Sequence, residues 1–196
     1  MRRREGASVM RGVASWLFGS VWLSAVAGGF WAWERYDATP GPAGASTVAT
    51  DATGAGNWRL TVFAHPRCPC TRATLAAAAD IAGAAPEVGV RVLFVRPPGS
   101  PEGWERGDSW ELATRIPGAE VACDTDTAAR RFGAETSGHA ILTDPSGRVV
   151  FRGGLTPARG RAGEGVGRRA VLDWVSGRSG PATAPVFGCP LFNHDD

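Results

Sequence analysis

Lysine is absent from this chain of 196 residues, so all 21 basic side chains are arginine, set against 19 acidic ones for a formal net charge of +2. The arginines are scattered rather than striped along one face, which excludes the electrostatic footprint of a nucleic-acid binder. Their exclusive use, beside abundant Ala, Gly and Pro, fits the codon bias of a GC-rich genome. Cysteine is scarce as well. Four cysteines in a chain long enough to bury a real core are not a staple framework. The glycine-rich run from Gly160 to Gly167 lacks the strand, GxGxxG and helix context that a nucleotide site needs, and it reads as a loop. From Asp37 to Gly56 almost nothing apolar and bulky occurs, so that stretch cannot bury enough surface to order itself.

Charge is missing from one segment, Gly12 to Trp33, which is long enough as a helix to cross a hydrocarbon core of about 30 Å. Arg2 to Arg4 and Arg11 precede it and Glu34 comes after it. That bias places the N-terminus in the cytoplasm and the remainder outside, with Trp31, Trp33 and Tyr36 as an outer aromatic belt. Ala25-Val26-Ala27 before Gly28 has the form of a signal-peptide cleavage site, but the apolar run continues past it to Trp33, which favours an anchor. Either reading exports the rest of the chain. The expected organisation is a basic N-terminus (1–11), a transmembrane anchor (12–33), a flexible linker (34–57), a folded domain (58–177) and an apolar C-terminal tail with Cys189 (178–196).

The chemistry is concentrated in His65-Pro66-Arg67-Cys68-Pro69-Cys70-Thr71-Arg72. An apolar run, Leu60 to Ala64, reads as a buried strand before it, and an alanine-rich run, Thr71 to Ala82, reads as a helix after it. Two cysteines therefore sit at a helix start, where unpaired N–H groups and the positive end of the dipole favour a thiolate. Pro69 presets a helical φ, and His65, Arg67 and Arg72 supply positive charge. Cys68, the expected N-cap and the more exposed thiol, is the expected nucleophile. A disulfide between cysteines separated by one residue requires a bent backbone and would be strained and readily reduced.

Downstream, Val90 to Val95 reads as a second strand, parallel to the first across a right-handed crossover. Asp108 opens a short helix, Glu120 to Cys123 is a weak strand, and Thr125 to Phe132 is a helix ended by Gly133. Ala140 to Thr143 and Arg148 to Arg152 flank the turn Asp144-Pro145-Ser146-Gly147 as a hairpin. A last amphipathic helix carries Val166, Ala170, Val171, Trp174 and Val175. The order is β-α-β, an inserted α-β-α, then β-β-α.

This order, with a cysteine pair at the first strand-to-helix turn, resembles the thioredoxin-like superfamily over roughly residues 58–177. The segments around Cys68, Gly153-Gly154-Leu155-Thr156, Ala158-Arg159-Gly160 and Pro185-Val186-Phe187-Gly188-Cys189-Pro190-Leu191 are similar to those of membrane-anchored RedB-type proteins. The resemblance implies an α/β fold with a central mixed sheet flanked by helices, preceded here by one transmembrane helix. It also implies thiol–disulfide exchange by Cys68 and Cys70 on the periplasmic side of a bacterial inner membrane, with protein thiols or disulfides or a membrane-side electron donor as partners and no resident cofactor. Two departures matter. The pair is Cys-x-Cys, not Cys-x-x-Cys, and Gly138, followed by His139, stands where thioredoxins place a proline facing the active site. Copper delivery by His65, Cys68, Cys70 and His139 or Cys189 is an alternative, since these are soft donors for Cu(I); thiol peroxidase activity is a second. The apolar tail should dock, which would bring Cys189 to the turn as a resolving thiol or ligand. Cys123 is expected to pack in the core, and His194 to be solvated.

Overall fold

The computed structural model describes residues 2–44, 50 and 56–192, and it divides into two units, Met1–Ala38 and Thr39–Asp196. The first unit is a single helix, α1 (Arg2–Asp37). From Trp16 to Tyr36 its Trp, Phe, Leu and Tyr side chains stand 58 to 80% exposed. Among the described residues, however, no helix is long and apolar enough to cross a membrane. The uncharged run expected to span is diluted by Gly19, Ser20, Ser24, Gly28 and Gly29, which add length without apolar surface.

The second unit is built on a six-stranded mixed sheet in the order β3-β2-β1-β4-β5-β6. Its elements are β1 (Trp58–Ala64), α2 (Thr71–Ala84), β2 (Val88–Val95), α3 (Asp108–Thr114), β3 (Glu120–Asp124), α4 (Thr127–Phe132), β4 (His139–Thr143), β5 (Val149–Gly154), α5 (Val166–Val175) and β6 (Thr183–Ala184). β1, β2 and β3 run parallel; β4 is antiparallel to β1 and to β5. The parallel β1–β2 pair and the β4–β5 hairpin match the sequence reading, as does the inserted α3-β3-α4 segment.

Strand alternation splits the core into two layers. Leu60, Val62 and Ala64 of β1 point to the side where α2 contributes Leu75, Ala78 and Ile81 and α5 contributes Ala170 and Val171. Phe63, Leu93, Val95 and Ile141 point to the other side, which is closed by Phe132 and by Leu191 of the C-terminal segment. Local chemistry places the connections. The Asp124 carboxylate accepts from the N–H groups of Ala128 and Ala129 at 3.0 and 2.7 Å, starting α4, and Asp144 Oδ1 accepts from Ser146 and Arg148 N–H to hold the hairpin turn.

Two boundaries differ from the sequence expectation. Residues 34–37, assigned to a flexible linker, continue α1, and further along Gly41 and Gly44 donate N–H bonds to the carbonyls of Val186 and Gly133 while Pro42 O accepts from Thr136. Residues 45–49 and 51–55 of that linker lie outside the described residues. The domain also does not stop at residue 177: Thr183–Ala184 pairs with β5, Val186, Phe187 and Leu191 are buried, and His194 lies outside the described residues. Burying a side chain such as Leu191 contributes roughly 1.5–3 kcal/mol, which the sequence alone could not assign to a partner surface.

Candidate functional site

β1 delivers the chain to the end of the sheet at Ala64, and residues 65–70 turn before α2 begins. Cys68 N–H donates to His65 O at 3.2 Å and Thr71 N–H donates to Cys68 O at 3.1 Å, so consecutive turns fold the Cys68 side chain inward. The N-cap of α2 is Cys70 rather than Cys68, and Pro69 precedes the helix instead of opening it. Cys68 is accordingly the more buried thiol, at 3% exposure, with Cys70 half-buried. Two hydroxyls brace the turn. Ser137 Oγ accepts from His65 N–H at 2.9 Å and lies 3.1 Å from Thr71 Oγ1, which in turn donates to His65 O.

Ser137 also receives the tail. Its N–H donates to Cys189 O at 2.8 Å, Leu191 N–H donates to Glu135 O at 2.8 Å, and Thr136 bridges Pro190 as in a short antiparallel pair. Gly188 is required by this approach, because a Cβ there would collide with Ser137 O. The docked tail places Cys189 Sγ 2.7 Å from Cys68 Sγ. The sulfurs of Cys68, Cys70 and Cys189 all lie within 4.8 Å of one another.

The three thiols are not equivalent. Burial alone would raise the Cys68 thiol, but hydrogen bonds from the Cys189 thiol and backbone and from Cys70 bring it below the ordinary value. Burial pushes Cys189 up to about 12, reinforced by its bond to Cys68 and by the negative charge of the neighbouring sulfurs, with Arg159 opposing. Cys70 is likewise raised by burial and by Cys68, against a Gly160 N–H bond and Arg159. Of the three thiols, Cys68 is the one whose ionisation the cluster favours.

The expected supporting residues are placed differently. His65 turns its ring edge-on to Trp104, centroids 5.5 Å apart, and its Nδ1 accepts from Arg67 N–H at 3.2 Å; burial and Arg67 lower its pKa. Arg67 stacks over Trp104 at 4.7 Å, and Arg72 is engaged by Asp108 at 2.7 Å. Neither guanidinium sets the Cys68 thiolate. Gly138, at φ +92°, faces α2, where a Cβ would meet Thr74 Oγ1 at 2.8 Å. Alternation then carries His139 to the opposite face, paired with Phe63 and beside Arg152, so neither His139 nor His65 joins the sulfur cluster. Cys123, expected in the core, is half-buried on edge strand β3 near Glu105 and Arg96. Sequence reasoning assigned no role to Ser137, Thr71, Gly188 or Arg159. Arg159 NH1 donates to Gly188 O, and only the segment resemblance around Ala158-Arg159-Gly160 had drawn attention to it.

A mixed sheet with a parallel β1–β2 pair, an antiparallel hairpin and a cysteine motif at the β1–α2 turn is a thioredoxin-like α/β fold. The chain is similar to the solved structures of a hypothetical protein from Sinorhizobium meliloti 1021, at 24% identity and TM-score 0.57 over 78% of this chain and 93% of that one. It is also similar to an uncharacterized conserved protein from Geobacillus kaustophilus, at 17% identity and TM-score 0.59 over 82% and 93%. A thioredoxin-like protein from Aeropyrum pernix matches at 15% identity and TM-score 0.43 over 79% and 97%. At these identities the likeness concerns the fold. The chain matches no protein-family model and no curated protein.

Proposed function

We propose that this protein is a thiol–disulfide oxidoreductase whose working pair is Cys68 and Cys189, with Cys70 as a third thiol at the same centre. The supporting observation is the 2.7 Å contact between Cys68 and Cys189 combined with the lowered Cys68 thiol. The Cys68 thiolate attacks one sulfur of a substrate disulfide, forming a mixed disulfide and releasing the other half as a thiolate. Cys189 loses its proton to that leaving group and attacks Cys68 Sγ, closing a Cys68–Cys189 disulfide and releasing the second half as a thiolate, which takes its proton from solvent. The substrate gains two electrons and two protons, which an external dithiol restores to the protein; the same steps reversed make it an oxidant. Oxidised with excess small disulfide, the protein is expected to yield a Cys68–Cys189 linkage in peptide mapping. A Cys68–Cys70 linkage alone would return the pair to the adjacent cysteines.

The three-sulfur cluster favours a second reading, Cu(I) held by Cys68, Cys70 and Cys189 without either histidine. Stoichiometric, tight Cu(I) uptake by the reduced protein that is lost in Cys70→Ser, while disulfide exchange survives, would establish it. Thiol peroxidase activity has no observation in its favour beyond the lowered Cys68 thiol at the β1–α2 turn.

We also propose that the domain is exported and attached through α1 to the outer side of a bacterial inner membrane, as the RedB-type resemblance implies. Support comes from the arginines at the start of the chain and the uncovered Trp, Phe and Leu side chains of α1. The full chain is expected in the membrane fraction, released by detergent but not by high salt. Recovery in the soluble fraction would remove this part of the proposal.

A further inference from the structure

Cys68 is buried by its own turn and by the docked tail, yet it lines one wall of an open cavity of about 510 Å³. The opposite wall is the segment before α3 and its first turn, with Trp104, Arg106 and Asp108. Of the three clustered cysteines, Cys68 alone lines this cavity. Its volume falls in the range of small-molecule sites, about 300–1,000 Å³, and suits a low-molecular-weight disulfide.

The charges on its walls are not balanced. Asp108 is engaged by Arg72 at 2.7 Å, and buried Glu105 lies 3.7 Å from Arg96. Arg67 and Arg106 have no carboxylate partner among the described residues. Each instead lies over an indole, Arg67 over Trp104 at 4.7 Å and Arg106 over Trp110 at 5.1 Å. Stacking holds a guanidinium in place while leaving its N–H edge free, and that edge matches a carboxylate bidentately. Arg67 and Cys68 both line this cavity, so a carboxylate bound by Arg67 shares it with the thiol.

The geometry points to a small disulfide bearing carboxylates near its sulfurs as the substrate, bound in this cavity by Arg67 and Arg106 and attacked by Cys68. The inference rests on the exchange reading above. The Cys68 thiolate displaces one carboxylate-bearing thiolate, Cys189 displaces the other, and two thiols leave as the Cys68–Cys189 disulfide forms. The test uses three disulfides of matched length, 3,3′-dithiodipropionate, bis(2-hydroxyethyl) disulfide and cystamine, which are anionic, neutral and cationic. Each is mixed with the reduced full chain, and its rate is divided by its rate with free dithiothreitol to remove intrinsic reactivity. The anionic compound is expected to exceed the cationic one by at least about tenfold at low salt, an advantage that shrinks as salt screens it. Arg67→Gln and Arg106→Gln are each expected to cut that ratio severalfold, and Arg115→Gln, at an exposed residue just after α3 and outside the cavity lining, to leave it unchanged. Equal normalised rates, a cationic preference, or a ratio untouched by both cavity variants would overturn the inference while the exchange reading stood. Failure of all three disulfides to oxidise the protein would sink the exchange reading itself, and this inference with it.

Discussion

Cys68→Ser is expected to reduce disulfide exchange by at least about a thousandfold, because removing the nucleophile of a coupled group removes the step that its partners serve. Cys189→Ser should behave differently. The first attack still occurs, so the variant is expected to accumulate one equivalent of mixed disulfide on Cys68, visible as an added mass in the intact protein, and then to stall. The variant also removes the thiol that donates to the Cys68 thiolate, so its first step should demand a higher pH than that of the unaltered protein. Cys70→Ser tests the assignment from the other side: it should still turn over. If Cys70→Ser stalls as a mixed disulfide and Cys189→Ser turns over normally, the working pair is Cys68 and Cys70.

Acid should weaken the domain through one residue. His139 is 3% exposed, neither of its ring nitrogens has a hydrogen-bond partner, and burial followed by the nearby Arg152 charge holds its pKa at about 4 instead of 6.5. In the unfolded chain the imidazole takes up a proton below 6.5, whereas in the folded one it does so only below about 4. The unfolded state therefore binds more protons between those limits, and stability is complete above pH 6.5 and declines as the pH falls toward 4. On His139 alone the loss between pH 7.5 and 4.5 is expected to be on the order of 2–3 kcal/mol. Denaturant titrations at the two pH values should show it, and in His139→Leu most of that difference should vanish. His65, also lowered, and Asp144, a carboxyl held below its ordinary value, act in the same direction, so some acid sensitivity remains in the variant. An unchanged pH dependence in His139→Leu would mean that a proton reaches the ring in the folded state at ordinary pH.

The features legible in the sequence were local. The apolar run Leu60–Ala64 needs a strand's burial, Thr71 onward has the alanine content of a helix, and the Asp144-Pro145-Ser146-Gly147 turn carries its own hydrogen-bonding side chain; each of these formed where expected. The cysteines at the strand-to-helix junction belong to the same local signals. The assignment of Cys68 as N-cap failed because Pro66 and Pro69 restrict the backbone on either side and turn residues 65–69 before the helix starts one residue pair later. His139 was misjudged for a different reason: its position beside Gly138 was right, but one residue along a strand reverses the face.

By itself, then, the sequence determined the order of elements, the parallel pair and hairpin, and the placing of two cysteines at the β1–α2 turn, because strand periodicity, turn chemistry and helix propensity act over a few residues. The tertiary structure decided which thiols meet. Cys68 and Cys189 are 121 positions apart and reach 2.7 Å only because the Ser137 backbone pairs with the tail, Gly188 leaves room for that approach, and Leu191 is drawn into the Phe63 layer. No local propensity specifies such a contact; it exists where burial of the tail outweighs the entropy of closing the long loop that leads to it.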